Sequence, residues 1–257
     1  MNTKWTELYH YKHKKALITG GNSGLGFAMA NYLGLAGAEI ILLARREEAL
    51  KQSINDLREK GITADYLSWD LSSDEGALLA VEAIKREFES IDILINAAGT
   101  NLRMPFAEVT PAGWKSELNL HLTSPFFLVQ GLAPKMKEKG WGRIVNIASL
   151  QSFRAFPNSA AYGAGKGGVV QLTRVIAEEW SKHGITCNAI APGLFRTPLT
   201  EVVFQNEETV NRFALQTCLG RNGEYQDVQG LILFLTSDAS RFITGQTICL
   251  DGGFTAK

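Results

Sequence analysis

The sequence predicts an α/β fold: a single domain built on a doubly wound parallel sheet with helices on both faces. Three observations predict it. Short apolar runs recur along the 257 residues, segments with helical spacing lie between most of them, and no linker, low-complexity tract or internal repeat interrupts the alternation. Alternation of this kind closes as a parallel sheet covered on both sides.

The runs are "ALIT" (16–19), "EIILLA" (39–44), "ADYLSW" (64–69), "IDILINA" (91–97), "RIVNIAS" (143–149), "TCNAIA" (186–191) and "TICLD" (247–251). They read as buried strands. Helical spacing covers 24–36, 45–60, 73–89, 111–139, 160–183 and 224–237. The long excursion "LFRTPLTEVVFQNEETVNRFALQTCLG" (194–220) has no place in that alternation, and is expected to serve as a substrate lid.

Composition narrows the function. Hydrophobic residues make up 45% of the chain, ample for a sizeable core. Lys+Arg and Asp+Glu balance at 26 each, so nothing favours nucleic acid or an acidic membrane surface. Cys187, Cys218 and Cys249 are odd in number and far apart, which fits a reduced cytoplasmic setting. The opening "MNTKWTELYHYKHKK" leads into only four apolar residues, and no 18-residue apolar stretch follows, so neither secretion nor membrane insertion is expected. No metal site is expected.

The first turn carries the strongest local signal. "ALITGGNSGLG" sets Gly20, Asn22, Ser23, Gly24, Leu25 and Gly26 between the first strand and the first helix. Glycines there allow backbone N–H groups to approach a pyrophosphate while the helix dipole favours its charge; a plain tight turn is the alternative. The second strand ends at Ala44, where a carboxylate would suit a free ribose 2′-hydroxyl, and Arg45 and Arg46 follow. A guanidinium suits a 2′-phosphate, so NADP(H) is favoured and NAD(H) remains open. The competing reading starts a solvated helix with arginines paired to Glu47 and Glu48.

A second signal is "AAYGAGKGG" (160–168). Each glycine inside a helix costs about 0.5–1 kcal/mol relative to alanine. The absence of side chains is therefore needed there, and Tyr162 and Lys166 stand one turn apart on one face.

Together these residues resemble the short-chain dehydrogenase/reductase family, over about residues 14 to 257. The matching pieces are "TGGNSGLG" (19–26), Asp70-Leu71, "NAAG" (96–99), Ser149, Tyr162 with Lys166, "APGLFRT" (191–197) and "LDGG" (250–253). The resemblance implies a Rossmann-like dinucleotide-binding and catalytic domain over 1–257, interconverting a secondary alcohol and a ketone by hydride transfer. Tyr162 would be the general acid/base. Lys166 would hold the nicotinamide ribose and depress the tyrosine pKa, and Ser149 would orient the substrate oxygen. The glycine-lined helix face would lie against the cofactor. Asp70 and Leu71, then Asn96, Ala98 and Gly99, would line the adenosine side; Pro192, Gly193 and Thr197 would meet the nicotinamide side.

The sequence departs from the family at three places. Ala97 replaces the second asparagine of "NNAG", and Gly165 replaces the serine of "YxASK". His121 stands at the fourth catalytic position, usually Asn, while Asn119 is two residues too early and would face elsewhere on a helix. In the family that residue acts largely through its carbonyl, which holds a relay water. Pro125 has no N–H, so on a regular helix it would free the carbonyl of His121. Side-chain and backbone roles for His121 are both compatible with the sequence.

Substrate signals are thinner. "NLRMPF" (101–106), "SLQS" (149–152) and the ending "FITGQTICLDGGFTAK" are similar to the gluconate 5-dehydrogenase and keto-deoxy-gluconate dehydrogenase branch. Arg103 could bind a sugar-acid carboxylate, with Arg154 and Arg196 as further candidates, and Gln151 and Ser152 could hydrogen-bond sugar hydroxyls. The rival is a 3-oxoacyl thioester reductase, acting on an acyl-carrier-protein or CoA ester, with Phe204, Phe213 and Leu215 as an apolar wall. A third reading is a non-catalytic cofactor-binding regulator. The resemblance also implies a homotetramer joined through 111–139, 160–183 and the C-terminal strand.

Overall fold

The computed structural model describes residues 5–257; the first four residues of the N-terminal stretch lie outside them. All seven expected strands form: β1 (Lys15–Thr19), β2 (Glu39–Ala44), β3 (Ala64–Ser68), β4 (Ile93–Asn96), β5 (Gly142–Ile147), β6 (Ile185–Pro192) and β7 (Thr247–Leu250). They pair in parallel in the order β3-β2-β1-β4-β5-β6-β7. The winding direction reverses between β1 and β4, and a crevice opens at the carboxyl ends of those two strands.

Period-two alternation divides the core. Leu17, Leu94 and Ile144 point to one face with Ala80, Leu128 and Ile176. Ile18, Ile95 and Val145 point to the other with Met29, Leu33 and Ile232. The first face is covered by α3 (Gly76–Glu87), α5 (Ser124–Lys139) and α6 (Ala160–Trp180), the second by α1 (Gly24–Leu35), α2 (Glu47–Arg58) and α9 (Asp227–Leu235). Among the described residues no helix is long and apolar enough to cross a membrane.

The structure corrects one expectation of consequence. Residues 111–139 are not one regular helix: α4 (Pro111–Leu118) passes into a π-helical turn (Asn119–Thr123) before α5 begins. The N–H of Ser124 reaches back five residues to the carbonyl of Asn119. Periodicity could not show this, because one extra residue in a turn leaves the apolar spacing on each side intact. Pro125 would free the His121 carbonyl only on a regular helix, and the π-turn removes that condition. Asn119 does face elsewhere, donating from Nδ2 to the Ser72 carbonyl and to Asp74. Residues 194–220 are less irregular than expected, since they hold α7 (Glu201–Phe204) and α8 (Glu207–Gln216).

Candidate active site

The crevice at the winding reversal is built by the first turn. Thr19 ends β1, and its Oγ1 accepts the N–H groups of Ala97 and Ala98, both at 3.0 Å, tying the ends of β1 and β4 together. Gly20 has φ +63°, and a Cβ there would fall 2.7 Å from the Ala98 Cα. Only glycine suits both the backbone and the space. Beyond it runs a cleft of about 540 Å3 lined by the expected Gly20, Asn22, Ser23, Gly24, Leu25, Gly26, Arg45, Asp70, Leu71, Ala98, Gly99, Tyr162, Lys166 and Thr197.

The donors of this cleft fit a dinucleotide phosphate. The N-terminus of α1 opens onto it, and Arg45 and Arg46 both line it. Among the described residues neither arginine makes a salt bridge; Glu47 and Glu48 pair with Lys51 instead. Burial would raise the Asp70 carboxyl, but the hydroxyl and N–H of Ser72 outweigh it and hold the group below its ordinary value.

Three expected cofactor residues do not line the cleft itself. Asn96 is buried behind the cleft, donating from Nδ2 to Asn146 Oδ1 at 2.8 Å, because the last residue of β4 turns its side chain toward β5. Pro192 and Gly193 line the neighbouring chamber.

Ser149 follows β5 and accepts the N–H of Gln151 at 3.1 Å, starting a tight turn. Ser152 closes that turn: its Oγ accepts the N–H of Ser149 and donates to the Lys166 carbonyl at 2.6 Å, fastening the serine loop to α6. Tyr162 and Lys166 stand on α6, both buried. Lys166 donates from Nζ to the Ile147 carbonyl at 2.6 Å, and burial pulls its pKa down to about 8.

Tyr162 departs from expectation. Burial raises its hydroxyl and the Glu117 carboxylate adds to the rise, against a lowering pull from Ser149 and Arg103. The Lys166 ammonium is engaged with the Ile147 carbonyl and lies 5.6 Å from the centre of the phenol ring. The glycines of α6 depart too. Cβ atoms at Gly165 and Gly168 would meet His121 Cβ at 3.1 Å and Leu122 Cδ1 at 2.7 Å. Those two glycines admit the π-turn against α6, not the cofactor.

His121 is buried beneath Tyr162, edge-on to its ring at 5.1 Å between centroids. Its Nε2 lies 2.9 Å from the Thr100 carbonyl and 3.3 Å from Glu117 Oε2. Glu117 is also buried, and its Oε1 accepts the Thr100 hydroxyl at 2.7 Å. Burial and then Lys166 lower the His121 pKa, with Glu117 opposing them. Sequence reasoning missed Glu117 and Thr100. A signal for Glu117 existed in its four-residue spacing from His121 on a predicted helix.

Next to Tyr162 a chamber of about 300 Å3 is lined by Ser149, Gln151, Arg103, Phe156, Val203 and Phe213, among others. Arg103 has φ +47°, a conformation few side chains adopt, and its N–H donates to Asn101 Oδ1 at 3.2 Å. Two expected substrate arginines are not brought there. Arg154 lies over the Phe254 ring at 5.1 Å, and Arg196 is held by both carboxylate oxygens of Glu201.

Comparison with known proteins agrees with this geometry. The family model described as "Enoyl-(Acyl carrier protein) reductase" matches residues 20–255. The chain is 36% identical over 251 residues to the gluconate 5-dehydrogenase of Gluconobacter oxydans, covering 98% of each. It is 35% identical to the 2-dehydro-3-deoxy-D-gluconate 5-dehydrogenase of Formosa agariphila, covering 97% of this chain and 96% of that one. A gluconate 5-dehydrogenase from Burkholderia cenocepacia, solved in complex with NADP and tartrate, superimposes with a TM-score of 0.92 at 33% identity, covering 98% of this chain and 99% of that one.

The burial of Lys166 predicts a stability signature. Unfolded, the ammonium keeps its proton up to pH 10.5; folded, it loses it near 8. Between those values the unfolded chain holds more protons, so this group's contribution to stability rises with pH. Below about 8 the buried charge is a full penalty. Lys166→Met is expected to melt above the wild type at pH 7, with the gap narrowing toward pH 10; a gap that widens would contradict it.

Proposed function

The chain belongs to the short-chain dehydrogenase/reductase family and is an NAD(P)-dependent oxidoreductase of CH–OH groups, and we propose that it prefers NADP(H) and interconverts a sugar acid, gluconate, with its 5-keto form. The observation that carries the substrate is Arg103, a guanidinium held in a strained backbone conformation on the wall of the chamber that Ser149 and Tyr162 also line. A carboxylate at one end of a small polyol would meet it, with Gln151 in reach of the hydroxyls. The names of the relatives support the same class. Ala44 with two arginines free of salt bridges, among the described residues, supports the 2′-phosphate.

When bound, the nicotinamide supplies the hydride acceptor or donor. The rest is done by side chains. Gly20, Gly24 and the opening of α1 would hold the phosphates, Asp70 and Leu71 the adenine side, and Thr197 the nicotinamide side. Ser149 aligns the substrate oxygen and stabilises charge developing on it, Tyr162 takes or gives that oxygen's proton, and the Lys166 cation keeps the neighbourhood positive. Residues 194–220 bring α7 and α8 to the chamber through Val203, Thr209 and Phe213, and serve as its lid.

The rival substrate, a 3-oxoacyl thioester, would use the apolar wall where Phe156 and Phe213 stack at 6.0 Å. Purified protein is expected to reduce NADP+ faster than NAD+ with D-gluconate, and Tyr162→Phe to be silent. Reduction of an acetoacetyl thioester without gluconate oxidation would reverse the choice. Arg45→Ala is expected to raise KM for NADP+ about tenfold or more and to leave NAD+ nearly unchanged, from the loss of one charged hydrogen-bonding group. Arg103→Ala is expected to raise KM for the sugar acid by a similar factor of about ten while kcat changes little; an unaltered KM would remove the carboxylate role.

A further inference from the structure

Beside the imidazole of His121, directly under Tyr162, lies a buried carboxylate, Glu117, that has no part in the roles assigned so far. Glu117 and His121 are fully enclosed, one turn apart across the junction of α4 and the π-turn. Nε2 of His121 lies 2.9 Å from the Thr100 carbonyl, which can only accept, so Nε2 carries the hydrogen; Glu117 Oε2 is 3.3 Å away and has no hydrogen-bond partner of its own. In the neutral ring Nδ1 is then the basic nitrogen, and it is buried with no hydrogen-bond partner.

The surroundings give that nitrogen something to do. A cavity of about 10 Å3, room for one water molecule, is lined by His121, Lys166, Ile147, Asn96 and Pro125. Asn96 Oδ1 is likewise buried without a partner. On the other side, Glu117 lines a second cavity of about 10 Å3 with Arg103, Asn101 and Tyr162. The pair thus separates two water-sized spaces, one against Lys166 and one beneath the Arg103 loop. Gly165 makes the arrangement sterically allowed, because any side chain there would press on His121. Two departures from the family pattern, His121 and Gly165, are in contact with one another.

We propose that Glu117 and His121 form a proton-holding pair: His121 exchanges a proton with Lys166 through one water in the small cavity, and Glu117 is the positioning residue that stabilises the imidazolium so formed. The proposal rests on the oxidoreductase reading and on no particular substrate. Alcohol oxidation leaves one proton in the site. The Lys166 ammonium gives its proton to that water, which passes one on to Nδ1; the resulting amine takes up the proton arriving from the Tyr162 side. No electron moves in these steps, and reduction runs them backwards. The charged groups facing the ring are Lys166 from α6 and Glu117 from α4; Tyr162 presents its ring edge and the loop after β4 an uncharged carbonyl.

The test compares wild type, Glu117→Gln, His121→Asn and the double variant, reading kcat against pH on whichever alcohol the wild type oxidises. A wild type silent on gluconate but active on another alcohol refutes only the sugar-acid reading. For the pair, Glu117→Gln is expected to lower kcat about tenfold with cofactor KM unchanged, and to have no effect once His121 is Asn. An unaltered kcat, or an equal loss in the His121→Asn background, overturns the proposal. Nitrogen-15 spectra of the free enzyme, with the His121 signals identified by their loss in His121→Asn, give a readout without turnover. They are expected to show the Nε2–H tautomer and a titration midpoint that falls by roughly one unit or more in Glu117→Gln. An Nδ1–H tautomer, or an unmoved midpoint, overturns it. Glu117→Leu, an apolar side chain of similar size, replaces Glu117→Gln in each comparison if the glutamine variant fails to fold.

Discussion

The reversal of winding between β1 and β4 is the constraint on which the rest of the structure depends. Strands buried on both faces cannot leave side chains free for chemistry along their length. The one place where the backbone opens is where two adjacent strands send their connections to opposite sides. Thr19 closes that place at its base by accepting two N–H groups from the chain leaving β4. The glycine turn, the arginines after β2 and Asp70 after β3 all converge there because each follows the carboxyl end of a strand on the same side of the reversal.

A second constraint is the cost of enclosing charge. Lys166 and Glu117 are both buried, and His121 lies within reach of each. Enclosed charges persist only where partners answer them. Ile147 answers Lys166 through its carbonyl and Thr100 answers one oxygen of Glu117 through its hydroxyl, while Glu117 Oε2 has only the His121 ring nearby, at 3.3 Å. Such an arrangement is a cost to the fold, and its position against Tyr162 ties that cost to the proposed reaction.

Much of the fold was legible. Each apolar run became a strand within a residue or two of its expected ends, since each is short and most are bounded by helical spacing. Tyr162 and Lys166 were legible by spacing and Ser149 through the family resemblance, and the turn at Gly20–Gly26 by its glycines. Asn96, Arg154 and Arg196 each turned to another partner, Asn146, Phe254 or Glu201, and two of those three lie fifty or more positions away, where spacing reveals nothing. The glycines of α6 were read as a cofactor face, yet Gly165 and Gly168 admit His121 and Leu122 from a segment more than forty residues away.

By itself, then, the sequence determined what is local or periodic: the strands and helices, the glycine turn, and the tyrosine and lysine one turn apart. Those follow from steric and hydrophobic patterns that act over a few residues. The tertiary structure alone decided which atoms meet. It placed the π-turn after α4, turned the Lys166 ammonium to Ile147 instead of Tyr162, and brought Glu117, His121, Thr100 and Gly165 into one buried cluster. Contacts of that kind depend on how separate elements pack, and packing is set by the whole interior at once.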